Sequence, residues 1–162
     1  MKKSYLFVYL LSLLSICFIS PLHLHADEKI GLSTGQNIYV PAYSHIYSGN
    51  RENPFLLAVT ISIRNTDPKF QIEITVTDYY ETQGNLLKKY IDKPVILKPL
   101  ESLRYVIPHK DTAGGSGASF IVQWKSDKFV NPPIVESIMI GTQNQQGVSF
   151  ISRGRAIITS KD

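Results

Sequence analysis

The chain has 162 residues, 43% of them hydrophobic and 19% charged, with one cysteine and a formal charge of +4. That is enough for one ordinary domain, and the composition excludes a disordered chain, a collagen, a coiled coil and a disulfide scaffold. Two of the 17 Lys and Arg, Lys2 and Lys3, belong to an N-terminal leader and none of the 13 acids does, so 15 against 13 leaves +2 beyond it; with so small a charge, dispersed basic residues and an export signal, no nucleic-acid partner is expected.

The leader has the three parts of a secretory signal peptide: Lys2-Lys3, an uncharged apolar run from Ser4 to Ile19, and a short polar tail ending Leu24-His25-Ala26. The run falls short of the roughly 20 residues that span a bilayer, and Pro21 breaks a helix just before the processing site. Cleavage after Ala26 is expected, with a retained anchor as the alternative. A second alternative is lipidation at Cys17 within Leu14-Ser15-Ile16-Cys17, disfavoured because Ile16 stands where a lipobox wants a small residue. The reading is of an exported protein, periplasmic or extracellular, that meets the membrane only in transit. Removing residues 1–26 leaves 136 residues, 27–162, as a single domain without cysteine, hence without a disulfide, a thiol nucleophile or a thiolate metal site.

From Ile38 onward the periodicity is two, not 3.6. After a first strand over Ile38 to Tyr43, Leu57, Val59, Ile61 and Ile63 alternate with Ala58, Thr60, Ser62 and Arg64, and the strand stops at the turn cluster Asn65-Thr66-Asp67-Pro68. Ile72, Ile74 and Val76 alternate with Gln71, Glu73, Thr75 and Thr77, and Gly84-Asn85 predicts a hairpin turn between Tyr79-Tyr80 and Leu86-Leu87. Further strands follow at Pro94 to Lys98, at Leu103, Tyr105 and Ile107, and at Phe120, Val122 and Trp124, with Trp124 as a core anchor. Ile134 to Ile140, Val148 to Ile151 and Arg155 to Thr159 complete eight or nine short strands with no convincing helix. The fold class is all-β, a single antiparallel β-sandwich of immunoglobulin-like type, with a small closed β-barrel as the rival.

Several groups invite chemistry. The glycine-rich loop Gly114-Gly115-Ser116-Gly117-Ala118 lacks the Lys and the following helix of a phosphate-binding loop, and Ala118 replaces the last glycine of a nucleophile elbow; it reads as a flexible or bulged connection. Only two histidines, His45 and His109, and one methionine, Met139, lie beyond the leader, too few for a metal set, and no cofactor motif is present. Tyr43, His45 and Tyr47 would share one face of a strand and could stack on a sugar, a peptide or a partner; the alternative is an edge strand whose tyrosines cover the end of the sandwich. Asp78-Tyr79-Tyr80-Glu81 and Tyr90 surround the Gly84 hairpin, and Arg64, Arg153 and Arg155 could grip a carboxylate or phosphate or pair with internal acids.

Taken in order, Tyr39-Val40-Pro41, Tyr43-Ser44-His45-Ile46-Tyr47, Ser62-Ile63-Arg64-Asn65-Thr66, Tyr79-Tyr80 with Gly84, Pro99-Leu100 with Ser102, and Gly114 to Ala118 make an extended pattern. It continues through Phe120, Trp124, Val135-Glu136, Met139, and Ser149-Phe150 to Arg153-Gly154-Arg155. The pattern resembles the bacterial domain-of-unknown-function family 3124, with Ser119 where that family usually has Asn. The resemblance implies a small exported bacterial domain and no known activity, ligand or catalytic residue.

The expectation is therefore a non-catalytic binding or interaction module of the cell envelope. It would contact an envelope protein or a small ligand through Tyr43, His45, Tyr47, Arg64, Tyr79 and Tyr80. A structural subunit that adds a strand to a neighbour is the alternative, and a hydrolase using Ser116, or a carboxylate pair, with His109 and Asp111 is the weaker one.

Overall fold

The computed structural model describes residues 31–47, 53–143 and 145–158; the expected cleavage after Ala26 and the alternative at Cys17 lie outside them. Among the described residues the strands are β1 (Ser33–Pro41), β2 (His45–Tyr47), β3 (Pro54–Leu56), β4 (Ala58–Arg64), β5 (Ile72–Tyr80) and β6 (Leu86–Lys89). They continue as β7 (Val95–Leu97), β8 (Ser102–Ile107), β9 (Ser119–Val130), β10 (Ile134–Gln143), β11 (Gln146–Arg153) and β12 (Arg155–Ile157), with one short 3-10 turn at Gly115–Gly117.

One sheet runs β12-β1-β9-β5-β6, with β7 beside β6 on β5; the other runs β11-β10-β4-β8, and all pairings are antiparallel. Successive connections β4–β5, β7–β8, β8–β9, β9–β10 and β11–β12 cross between the sheets. Neither sheet closes on itself, so the fold is a β-sandwich and not a barrel. The alternation read in the sequence fixes the inner faces: Val59, Ile61 and Ile63 on β4 meet Phe120, Val122 and Trp124 on β9, with Leu57 beside them, all essentially buried.

Strand β5 departs from the predicted pattern halfway. Ile74 stands opposite Trp124 and Val76 opposite Gln123, so Thr75 is an extra residue, a β-bulge. Because side chains alternate, one inserted residue reverses every face beyond it: Val76 turns outward, while Thr77 and Tyr79 turn into the core. Tyr79 is 2% exposed and its ring stacks on Phe120 with centroids 4.9 Å apart.

The cluster Asn65-Thr66-Asp67 does more than turn the chain. The buried Asn65 amide donates to the carbonyls of Phe70 (2.9 Å) and Lys98 (2.9 Å), and its oxygen accepts from the Asp67 amide at 3.0 Å. The Asp67 carboxylate accepts the amides of Lys69, Phe70 and Asn131 at 2.9, 2.9 and 3.1 Å, and Thr66 donates to Pro132 O at 2.9 Å. These bonds tie the β4–β5, β7–β8 and β9–β10 connections into one knot and satisfy backbone groups that burial would otherwise leave unpaired. The same carboxylate is held below its ordinary range by the amides of Lys69, Phe70 and Asn131, the Asn131 side chain adding to them.

Candidate functional site

At the opposite end of the sandwich the chain leaves β1, forms the β2–β3 hairpin and returns to β4. Ser44 is the anchor of this excursion. It is fully buried, its amide and its hydroxyl both donate to Gly115 O at 3.0 Å, and its carbonyl accepts the Leu57 amide at 2.9 Å. Ala42 N–H to Ala118 O at 2.8 Å continues the seam. The bend at Ser44 separates residues that period two places on one strand. Tyr43 lies before β2 and packs its ring against Phe150 at 5.8 Å, whereas His45 and Tyr47 share a face of β2 with rings edge to face at 5.3 Å.

His45 Nε2 lies 3.3 Å from the Tyr47 hydroxyl, and Nδ1 is buried with no partner among the described residues. Tyr47 is 55% exposed, so the hairpin presents a phenol to solvent with an imidazole beneath it. The hairpin packs closely on β10 at Gly141, where a Cβ would stand 2.6 Å from the Phe55 ring and 2.8 Å from Leu57 Cδ2, and nearer still to Leu56 O. Beside this contact is an open groove of about 420 Å³ lined by Leu56, Ala58, His109, Ile140 and Thr142 among others. Sequence reading missed the groove and strand β3, whose few residues, Pro54–Leu56, run straight into the Leu57 alternation.

The structure does not bring the six expected contact residues together. Tyr43, His45, Tyr47 and Tyr80 lie toward the hairpin end, Tyr80 being opposite Ser119, which is itself opposite Pro41. Tyr79 is a core residue: its hydroxyl makes no hydrogen bond among the described residues, and burial pushes its pKa upward, with Asp111 and Tyr90 reinforcing. The neighbouring Ser44 side chain acts the other way, as the smallest of these influences. Tyr90, tilted against Phe120 and Tyr105, is raised by burial and then by Asp111. Arg64 lies at the far end of β4, its Nε donating to Ser62 Oγ at 3.2 Å and its Nη2 3.7 Å from Glu136.

The glycine-rich loop is stapled, not loose. Thr82 N–H and Thr82 Oγ1 both donate to Gly114 O at 3.0 Å, and Gly117 N–H donates to Thr82 Oγ1 at 3.0 Å. Gly114 itself is required by Tyr79, because a Cβ there would fall 2.7 Å from Tyr79 Cζ and closer to its hydroxyl oxygen. Of the three groups in the hydrolase alternative, Asp111 accepts the Ala113 amide at 3.1 Å, Ser116 is half-buried in the 3-10 turn, and His109 faces the groove on β10.

The profile of a family described as "Protein of unknown function (DUF3124)" matches residues 35–157, nearly every described strand. The chain belongs to this family. No curated protein matches it. Among solved structures it is similar to one titled "Crystal Structure of Thermotoga maritima 1070", with 11% identity over 76% of this chain and 96% of the other and a TM-score of 0.44; a likeness that distant carries no weight for function.

Proposed function

We propose that this member of the DUF3124 family is a non-catalytic binding module of the cell envelope, exported by its leader, and that the β2–β3 hairpin makes the contact. One observation carries the reading: an exposed Tyr47 packed edge to face on His45, on a hairpin fixed to the body by the buried Ser44 and bordered by the groove at His109 and Ile140. A pre-set aromatic and imidazole face suits a partner's surface, because little side-chain freedom remains to be lost on binding. A photoreactive residue placed at Tyr47 in the full chain is expected to crosslink to a partner in intact cells. The same probe at Ile121, on the outer face of the other sheet, should not. Equal crosslinking at both positions, or no change on replacing Tyr43, His45 and Tyr47 together by Ala, sinks the assignment.

Strand addition is the second reading, favoured by β11, an eight-residue edge strand paired only with β10 among the described residues. It predicts crosslinks at Ser149 instead.

A further inference from the structure

We propose that the Asn65 end of the sandwich, opposite the hairpin, seats the folded domain on an anionic membrane surface. The Asn65 and Asp67 knot makes that end rigid, and what it holds outward is apolar. Phe70 is 41% exposed, Leu100 68% and Phe129 69%, each at the tip of a different connection or bulge. Leu100 adopts φ 62, a left-handed conformation that glycine or asparagine takes without strain and leucine does not. Phe129 stands on an excursion of β9: residues 126–129 lie between the pairs Gly35↔Lys125 and Ser33↔Val130, where β1 supplies Thr34 alone. Leu32, 59% exposed, joins them where the chain enters β1.

Each tip carries a lysine beside it, in Lys69-Phe70, Lys98-Pro99-Leu100 and Lys128-Phe129. The acids at this end are Asp67, buried in the knot, Glu101, whose Oε2 accepts the Lys98 amide at 2.7 Å, the exposed Asp127, and Glu73 and Glu136, which lie 3.3 Å from Lys125 and 3.7 Å from Arg64. Three separated apolar points with cations at their bases suit a bilayer interface, where rings and aliphatic chains enter the acyl boundary and ammonium groups meet lipid phosphates. A protein partner would favour one continuous patch with pockets. Leu86 and Leu87 are comparably exposed, but as neighbours in β6 they point to opposite faces and form no tip.

The test is flotation of the exported protein, recovered from cells with whatever processing its leader undergoes, on vesicles of phosphatidylcholine alone and of phosphatidylcholine with roughly one-third phosphatidylglycerol. Binding is expected to the anionic vesicles and to weaken with salt. Phe70→Ser, Leu100→Ser and Phe129→Ser together should reduce it on the order of tenfold or more, as should Lys69→Glu, Lys98→Glu and Lys128→Glu. As a readout independent of the multiple variants' folding, the fluorescence of a Phe129→Trp variant should shift to the blue on anionic vesicles, against the constant background of the buried Trp124. Equal binding by wild type and the serine variant, an unshifted signal from the Phe129→Trp variant, or retention by a lipid-free protein complex through these same tips overturns the proposal. Because the hairpin lies at the other end, loss of Tyr47 crosslinking leaves this result untouched.

Discussion

Replacing Gly114 by Ala isolates one close contact. Gly114 has φ −68 and ψ −31, angles any residue adopts, so on backbone grounds alone Gly→Ala should stabilise by about 0.4–1 kcal/mol through the unfolded state. The added Cβ, however, meets Tyr79 Cζ at 2.7 Å and Ala118 Cβ at 2.8 Å. The ring cannot swing aside, being 2% exposed and stacked on Phe120. Overpacking of that kind costs roughly 1–3 kcal/mol or more, so G114A should be destabilising despite its favourable angles. Tyr79→Phe removes a buried hydroxyl that has no hydrogen bond, and by itself should be near neutral or slightly stabilising. In the G114A/Y79F double variant the worst clash is gone, and we expect a coupling of about 1 kcal/mol or more in the rescuing direction. Urea denaturation followed by Trp124, the single tryptophan, measures all four corners of the cycle. Strict additivity, or a G114A protein as stable as wild type, would refute the reasoning.

Asp67 gives a pH prediction. Its folded pKa lies below the ordinary carboxylate value of 3.8, chiefly through the amides of Lys69 and Phe70. Its contribution is therefore present above the unfolded pKa and is lost as pH falls through the folded one. Asp67→Asn should lower stability near neutral pH and flatten the acid limb below about pH 4, which melting curves across that range will show; an unchanged limb contradicts the assignment. Leu100→Gly relieves a left-handed leucine and should raise the unfolding free energy by up to about 1 kcal/mol once glycine's own flexibility is offset, and with it the urea midpoint, while weakening vesicle binding; a lower midpoint means the turn is not strained. Trp124→Phe should cost less than Phe120→Ala, the latter about 3–5 kcal/mol by cavity formation beneath Tyr79 and Tyr90, and an inverted order by calorimetry would contradict the packing described.

The sheets were readable where alternation is uninterrupted. Leu57, Val59, Ile61 and Ile63 all face inward, as do Phe120, Val122 and Trp124, and the Gly84 hairpin joins β5 to β6. The bulge at Thr75 was not readable, because Thr and Val are both good strand formers and nothing local marks which of them is the extra residue. That single insertion moved Tyr79 from an expected contact surface to the core, while Tyr80 took the outer face. The stripe of Tyr43, His45 and Tyr47 failed for another reason: Ser44 is pulled into a long-range bond with Gly115, so the chain bends where period two assumes a straight strand. Asn65 and Asp67 were legible as a turn, but their bonds to residues 97–98 and 131 depend on loops brought together only by the two-sheet arrangement. The same long-range pairing explains the glycine-rich loop, whose partner Thr82 lies on the neighbouring connection.

The central claim is that the hairpin end holds a partner. Its most direct test is the native mass of the protein in gently solubilised envelope extract, set beside that of the purified domain, for wild type and for the Tyr43→Ala, His45→Ala, Tyr47→Ala variant. The account predicts a much larger mass for wild type in the extract, collapsing to the mass of the free domain in the variant. The same mass for both proteins, whether free or in the extract, would contradict it.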